Sequence, residues 1–229
     1  MKSIRVAIFF VFVSFSLHPA MAAEQSKAIS FGAWTKVPFF VGPNEAKSLD
    51  ITIRSLLVDG KVKEFTTGDI HEVTDRFFVV RKAYRINDWL ADDEKAKQHR
   101  WKWQRGGWLL VDRATARISP LNLPEFDPFY SSASWFGDYI AYCGLSDDAT
   151  RLYAVVSQIG RKKPILREKL GDAKNGVMPE SECAAPHWER DPIRVTFEPA
   201  GGQKKTFQVY GAVDLKPVGG DPEEMKNRP

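Results

Sequence analysis

The densest concentration of chemistry-bearing side chains is aromatic and cationic. Trp101, Trp103 and Trp108 surround Arg105-Gly106-Gly107. In an extended strand residues 101 and 103 project to one face, with Lys102 and Gln104 on the other. Exposed tryptophans beside an arginine can stack on a sugar ring or on an aromatic side chain of a peptide. This makes Trp101, Trp103, Arg105 and Trp108 the ligand-binding candidates. The competing expectation is that they fill a core between sheets, the commoner fate of tryptophan.

Catalytic spacings are thin by comparison. His71-Glu72 with Asp75 groups three ionisable residues, but not with the two-histidine spacing of a zinc helix, and a turn-capping role explains them. Ser131, Ser132 and Ser134 lie outside any G-x-S-x-G elbow, and a hydrolase would have to assemble its site in space from His71, His99 or His187. Asp92-Asp93-Glu94 suits a helix start, Asp147-Asp148 a turn, and Asp138 an architectural acceptor at a strand entrance. Phosphate-cradling glycine loops are absent, so no catalytic residue, metal or cofactor is assigned. Cys143 and Cys183 are the two cysteines. Pairing is the expected state in an exported chain, with free thiols or a metal site using His187 as alternatives. Closing a loop of about 40 residues stabilises by roughly 3–4 kcal/mol.

Export itself is inferred from the first residues. Lys2 and Arg5 precede an apolar run to Leu17, and Ala20 and Ala22 supply the small side chains that signal peptidase requires. Cleavage is placed after Ala22, with Ala23 as the alternative. The apolar run is shorter than the roughly 20 residues that span a bilayer, and no later segment is long and apolar enough to cross. The protein is therefore expected in the periplasm or secreted, with no membrane span after cleavage. Loss of Lys2 and Arg5 takes two charges from the formal +4, a balance that gives no argument for nucleic acid.

The elements that position these residues are mostly strands. Leu49, Ile51 and Ile53 alternate with polar residues, Asp59-Gly60 turns the chain, and Val62 and Phe65 follow, which predicts a hairpin. Arg76 to Ile86 opens with a continuous apolar run, as in a strand buried on both faces. Trp108–Val111 and Ile118–Leu121 flank a polar turn. Tyr139–Cys143, Leu152–Ile159 and Pro164–Arg167 form a further set, and Ile193–Phe197 pairs back with Phe207 and Val209 across Gly201-Gly202. The best helix is Asp88 to His99, a surface excursion with acids early and bases late. Ser119 to Ser134 holds three prolines and connects two halves, 23–122 and 135–215, of one antiparallel β domain spanning 23–215. Residues 216–229 bury almost nothing and are expected to be a disordered tail.

The stretch from Trp135 to Leu170 (WFGDYIAYCGLSDDATRLYAVVSQIGRKKPILREKL) resembles one blade of a β-propeller, of the periplasmic Tol-translocation and tryptophan-aspartate repeat types. Gly107 to Leu123 (GWLLVDRATARISPLNL) resembles the middle hairpin of such a blade. The chain also resembles exported bacterial proteins of unassigned function that share GGWLLVDR-like and YxAYCGxSDD-like segments. The resemblance implies a mainly β fold of antiparallel sheets, arranged as a propeller-like stack of blades or as a β-sandwich. At roughly 40–45 residues per blade the chain would make four or five. The function expected is a non-enzymatic module of the cell envelope that binds a protein or a glycan. The alternatives are an exported hydrolase and a structural subunit of an envelope assembly.

Overall fold

A computed structural model describes residues 27–40, 49–87, 101–128, 131–173, 183–210 and 214–217. The chain is mainly β, and no helix occurs among the described residues. The segments expected as signal peptide and as the 88–99 helix lie outside them.

The first sheet is the largest. It contains β1 (Ile29–Phe31), β2 (Thr35–Phe39), β3 (Leu49–Val58), β4 (Lys61–Glu72), β5 (Phe77–Asn87), β6 (Trp101–Asp112) and β7 (Arg117–Pro120). Its order is β1-β3-β2-β6-β5-β4, with β7 paired to β6 and β4 also paired to β3. The run from β2 to β6 thus closes on itself as a five-stranded ring. The ring is completed by one parallel bridge, Phe39 to Trp103. The β3–β4 turn is the Asp59-Gly60 pair, both at positive φ (51° and 73°), the backbone that a two-residue hairpin needs.

Two four-stranded antiparallel sheets follow. The second runs in chain order through β8 (Ala133–Phe136), β9 (Tyr139–Leu145), β10 (Arg151–Gln158) and β11 (Leu166–Asp172). The third does the same through β12 (His187–Arg190), β13 (Ile193–Phe197), β14 (Lys205–Tyr210) and β15 (Asp214–Pro217). β11 starts two residues after the expected Pro164 and continues past Arg167. β7 and β8 occupy both ends of the expected 119–134 connector. β15 carries strand pairing to Pro217, beyond the boundary drawn at 215.

Alternation along β9 and β10 explains how the sheets stack. Ile140, Tyr142, Tyr153 and Val155 face the first sheet, where they meet Val79 and Trp108. Ala141, Cys143, Leu152, Ala154 and Val156 face the third, where they meet Val195, Phe197 and Phe207. The second sheet is therefore apolar on both sides, which is why Leu152–Val156 is an unbroken hydrophobic run. β5 behaves alike: Val79 packs on the second sheet while Phe78 and Val80 pack with Leu56, Leu109 and Val111 on the opposite face. Cys143 and Cys183 are joined as a disulfide, with Cα atoms 6.3 Å apart. It ties β9 to the segment before β12. Trp188 adds to this seam by stacking on Phe136 and donating its indole N–H to the Ser134 carbonyl.

Candidate functional site

β6 carries the four candidate residues, and its pairing with β5 decides where each goes. Trp101, Trp103 and Arg105 lie opposite Asn87, Arg85 and Ala83. Between these pairs and Arg81–Trp108, β6 has two residues, 106 and 107, where β5 has one, Lys82, so a bulge falls at Gly106-Gly107. Gly106 packs close to Lys82; a Cβ there would lie 3.1 Å from the Lys82 Cβ. Below the bulge β6 borders the closed ring. Above it, β6 is pressed against the second sheet.

The four candidates are consequently separated. Trp108, 9% exposed, sits between the first and second sheets, edge-on to Trp135 at 5.2 Å. Its indole N–H has no hydrogen-bond partner among the described residues. Trp103 is half-buried with Ile51, Ile53, Ala83 and Phe39, and meets Phe65 edge-on at 5.0 Å. Arg105 lies over the Phe39 ring at 5.1 Å. Trp101 is 44% exposed, with the Arg85 guanidinium 4.4 Å from its ring centre.

Trp103 also lines a groove of about 400 Å³ with Val62, Glu64, Phe65, Tyr84 and Arg85. The groove exists because β4 and β5 part company. Their pairing ends at Phe65 and Ala83. Beyond that point Lys61, Val62 and Glu64 stay with β3, while Tyr84–Asn87 stay with β6. Two strand edges thus face one another without pairing. Val62, Phe65 and Tyr84 are exposed there. The Tyr84 hydroxyl donates to Gln104, and burial, then the Asp127 charge, raises its pKa. A Lys82–Glu64 ion pair at 2.9 Å braces the junction.

The remaining polar candidates hold the sheets in place. His71 Nε2 is 2.7 Å from the Gly137 carbonyl, and its ring stacks on Trp135. Glu72 accepts from Arg113. Ser131 donates to the Cys143 carbonyl, and Ser134 to that of Pro186. Asp138 accepts from Gln158. Asp148 caps its turn, accepting from Ser146 and Thr150, which lowers its pKa to about 2. No cluster of three metal-ligating side chains occurs among the described residues, and no histidine lines the β4–β5 groove.

Arg81 is the joint between groove and stack. It donates to the carbonyls of Gly106 (3.0 Å), Pro128 (2.5 Å) and Ser131 (3.3 Å), fixing the bulge to the connector between the first two sheets. Sequence reasoning located Trp103 but not Phe65 or Tyr84 as its partners in a groove. Their only signal was an aromatic residue placed in each of two strands that the hairpin pattern treats as paired throughout. Comparisons with protein-family models, with curated proteins and with solved structures give no match.

Proposed function

We propose that this protein is an exported, non-enzymatic binding module whose β4–β5 groove takes an extended segment of a partner protein in the cell envelope. The carrying observation is the pair of strand edges, Lys61–Glu64 and Tyr84–Asn87, that have no partner on their facing sides among the described residues and are flanked by Phe65, Tyr84 and Trp103. Unpaired edges offer backbone donors and acceptors to an incoming strand, and alternate side-chain pockets give selectivity. The aromatic walls accept apolar side chains of such a segment; Arg85 and Lys63 at the groove favour a neighbouring acid. A glycan is the weaker occupant, because Arg85 already covers one face of Trp101.

Periplasmic or secreted location rests on the signal-like N-terminus and agrees with the disulfide. Among the described residues no helix is long and apolar enough to cross a membrane. The architecture is best described as propeller-like. β8–β11 and β12–β15 are successive four-stranded antiparallel sheets, and the first of them packs face to face on the other and on the larger sheet, as neighbouring blades do.

Selection of displayed heptapeptides on the purified protein tests the reading. Selected peptides are expected to bind, to lose binding when their backbone amides are methylated, and to lose it on Tyr84→Ala. Binding that survives methylation, or that envelope glycan fragments displace while peptides do not, refutes strand addition.

A further inference from the structure

A second cavity, of about 380 Å³, lies at the far end of the interface between the first two sheets. Its walls come from three places. Leu121, Asn122 and Leu123 follow β7, Ile140 belongs to β9, and Ser157 to Arg161-Lys162 form the end of β10 and its turn into β11. Gly160 makes that turn at φ 85°. Leu121, Leu123, Ile140 and Ile159 give the cavity an apolar floor continuous with the core.

The rim is cationic. Arg161 and Lys162 are exposed, and neither has an ion-pair or side-chain hydrogen-bond partner among the described residues. Asp138, outside the lining, accepts from the lining residue Gln158 at 2.8 Å. Two cations and no carboxylate line the cavity, the complement of an anion. On the floor, Ser157 is 4% exposed. Its hydroxyl has one long contact, 3.4 Å, to the Tyr142 oxygen, while Tyr142 gives its own proton to the Pro124 carbonyl at 2.6 Å. The Ser157 proton is thus weakly engaged and free to turn toward a ligand oxygen. A cavity of this size with an apolar floor and a few convergent polar groups has the makeup of a small-molecule site.

We propose that this cavity binds a small organic monocarboxylate, its carboxylate held by Arg161 and Lys162 and its apolar body lying over Leu121, Leu123, Ile140 and Ile159. The site is separate from the β4–β5 groove, and its fate is independent of the strand-addition reading.

Calorimetric titration of the full-length protein with sodium octanoate at low salt tests the proposal, with 1-octanol as the neutral probe. Octanoate is expected to bind at one site, and octanol about tenfold or more weaker, since a charge-assisted hydrogen bond contributes at least that factor. Arg161→Ala/Lys162→Ala, in an exposed turn, is expected to keep the wild-type melting temperature and to weaken octanoate about tenfold or more. Arg190→Ala, which removes an exposed charge from β12 in the third sheet, is expected to leave octanoate binding unchanged. The proposal is overturned by no octanoate binding, by equal binding of octanol, by an unchanged double variant, or by an equal loss in Arg190→Ala.

Discussion

Replacing Trp103 and Trp101 separately by alanine separates a groove wall that is also core from a side chain that is 44% exposed. Full burial of a tryptophan is worth about 3–5 kcal/mol on truncation to alanine. Trp103 is half-buried against Ile51, Ile53 and Ala83, which leaves about 2 kcal/mol. Its edge-on contact with Phe65 at 5.0 Å adds about 0.5–1 kcal/mol. Trp103→Ala should therefore cost about 2–3 kcal/mol, a fall in melting temperature of roughly 5–10 °C for a chain of this size. Trp101 is 44% exposed, and the Arg85 cation 4.4 Å from its ring centre is worth about 0.5–1 kcal/mol at such a site. Trp101→Ala should shift the melting temperature by less than about 4 °C. Urea denaturation followed by far-ultraviolet circular dichroism measures both. Equal costs for the two variants, or a neutral Trp103→Ala, would refute the placement of β6 against β2, β3 and β4.

Further outcomes follow from the stack and its ties. Reduction of the Cys143–Cys183 bridge, or Cys143→Ser/Cys183→Ser, should lower stability by about 3–4 kcal/mol for a separation of 40 residues, read as a drop in urea midpoint; two reactive thiols in the native unreduced protein would contradict the bridge. Gly144→Ala should destabilise by about 1–3 kcal/mol, because its new Cβ would lie 2.9 Å from Val155 Cγ2 and 3.1 Å from Glu125 Cβ; a neutral effect in thermal melts would mean that the connector does not press on β9. Asp112 accepts two hydrogen bonds from Arg76, at 2.9 and 2.6 Å, and this pairing holds its pKa far below the usual carboxylate range. The folded carboxyl thus ionises more readily than the unfolded one, so its contribution is complete above about pH 4 and drains as pH falls further. Melting temperatures from pH 6 to pH 2 should decline less steeply in Asp112→Asn than in the wild type, and parallel profiles would remove Asp112 from the acid response.

Much of the strand plan was legible because period-two alternation and turn dipeptides are local signals. Leu49 to Phe65 shows both, and the structure has its hairpin there with Asp59 and Gly60 at positive φ. The unbroken apolar start of β5 announced burial on two faces, and Phe78, Val79 and Val80 do pack in two different cores. β1, β2, β8, β12 and β15 escaped because they are short strands of three to five residues, whose place depends on partners distant in sequence. Ile29, for example, pairs with Val58. The tryptophan cluster was visible, but its division was not. The bulge at Gly106-Gly107 sends Trp108 into the stack and leaves Trp101 outside. The groove depends on where β4 and β5 stop pairing, which no alternation pattern encodes, since Val62 and Phe65 look the same in a closed sheet.

Hydrogen exchange along β4 and β5, with and without a selected peptide, addresses the open edges most directly. In the free protein amides within 61–64 and 84–87 should exchange faster than those of 77–83, and bound peptide should slow them. Full protection of both edges in the free protein, or peptide-induced protection confined to the second and third sheets, would contradict a groove open to an added strand.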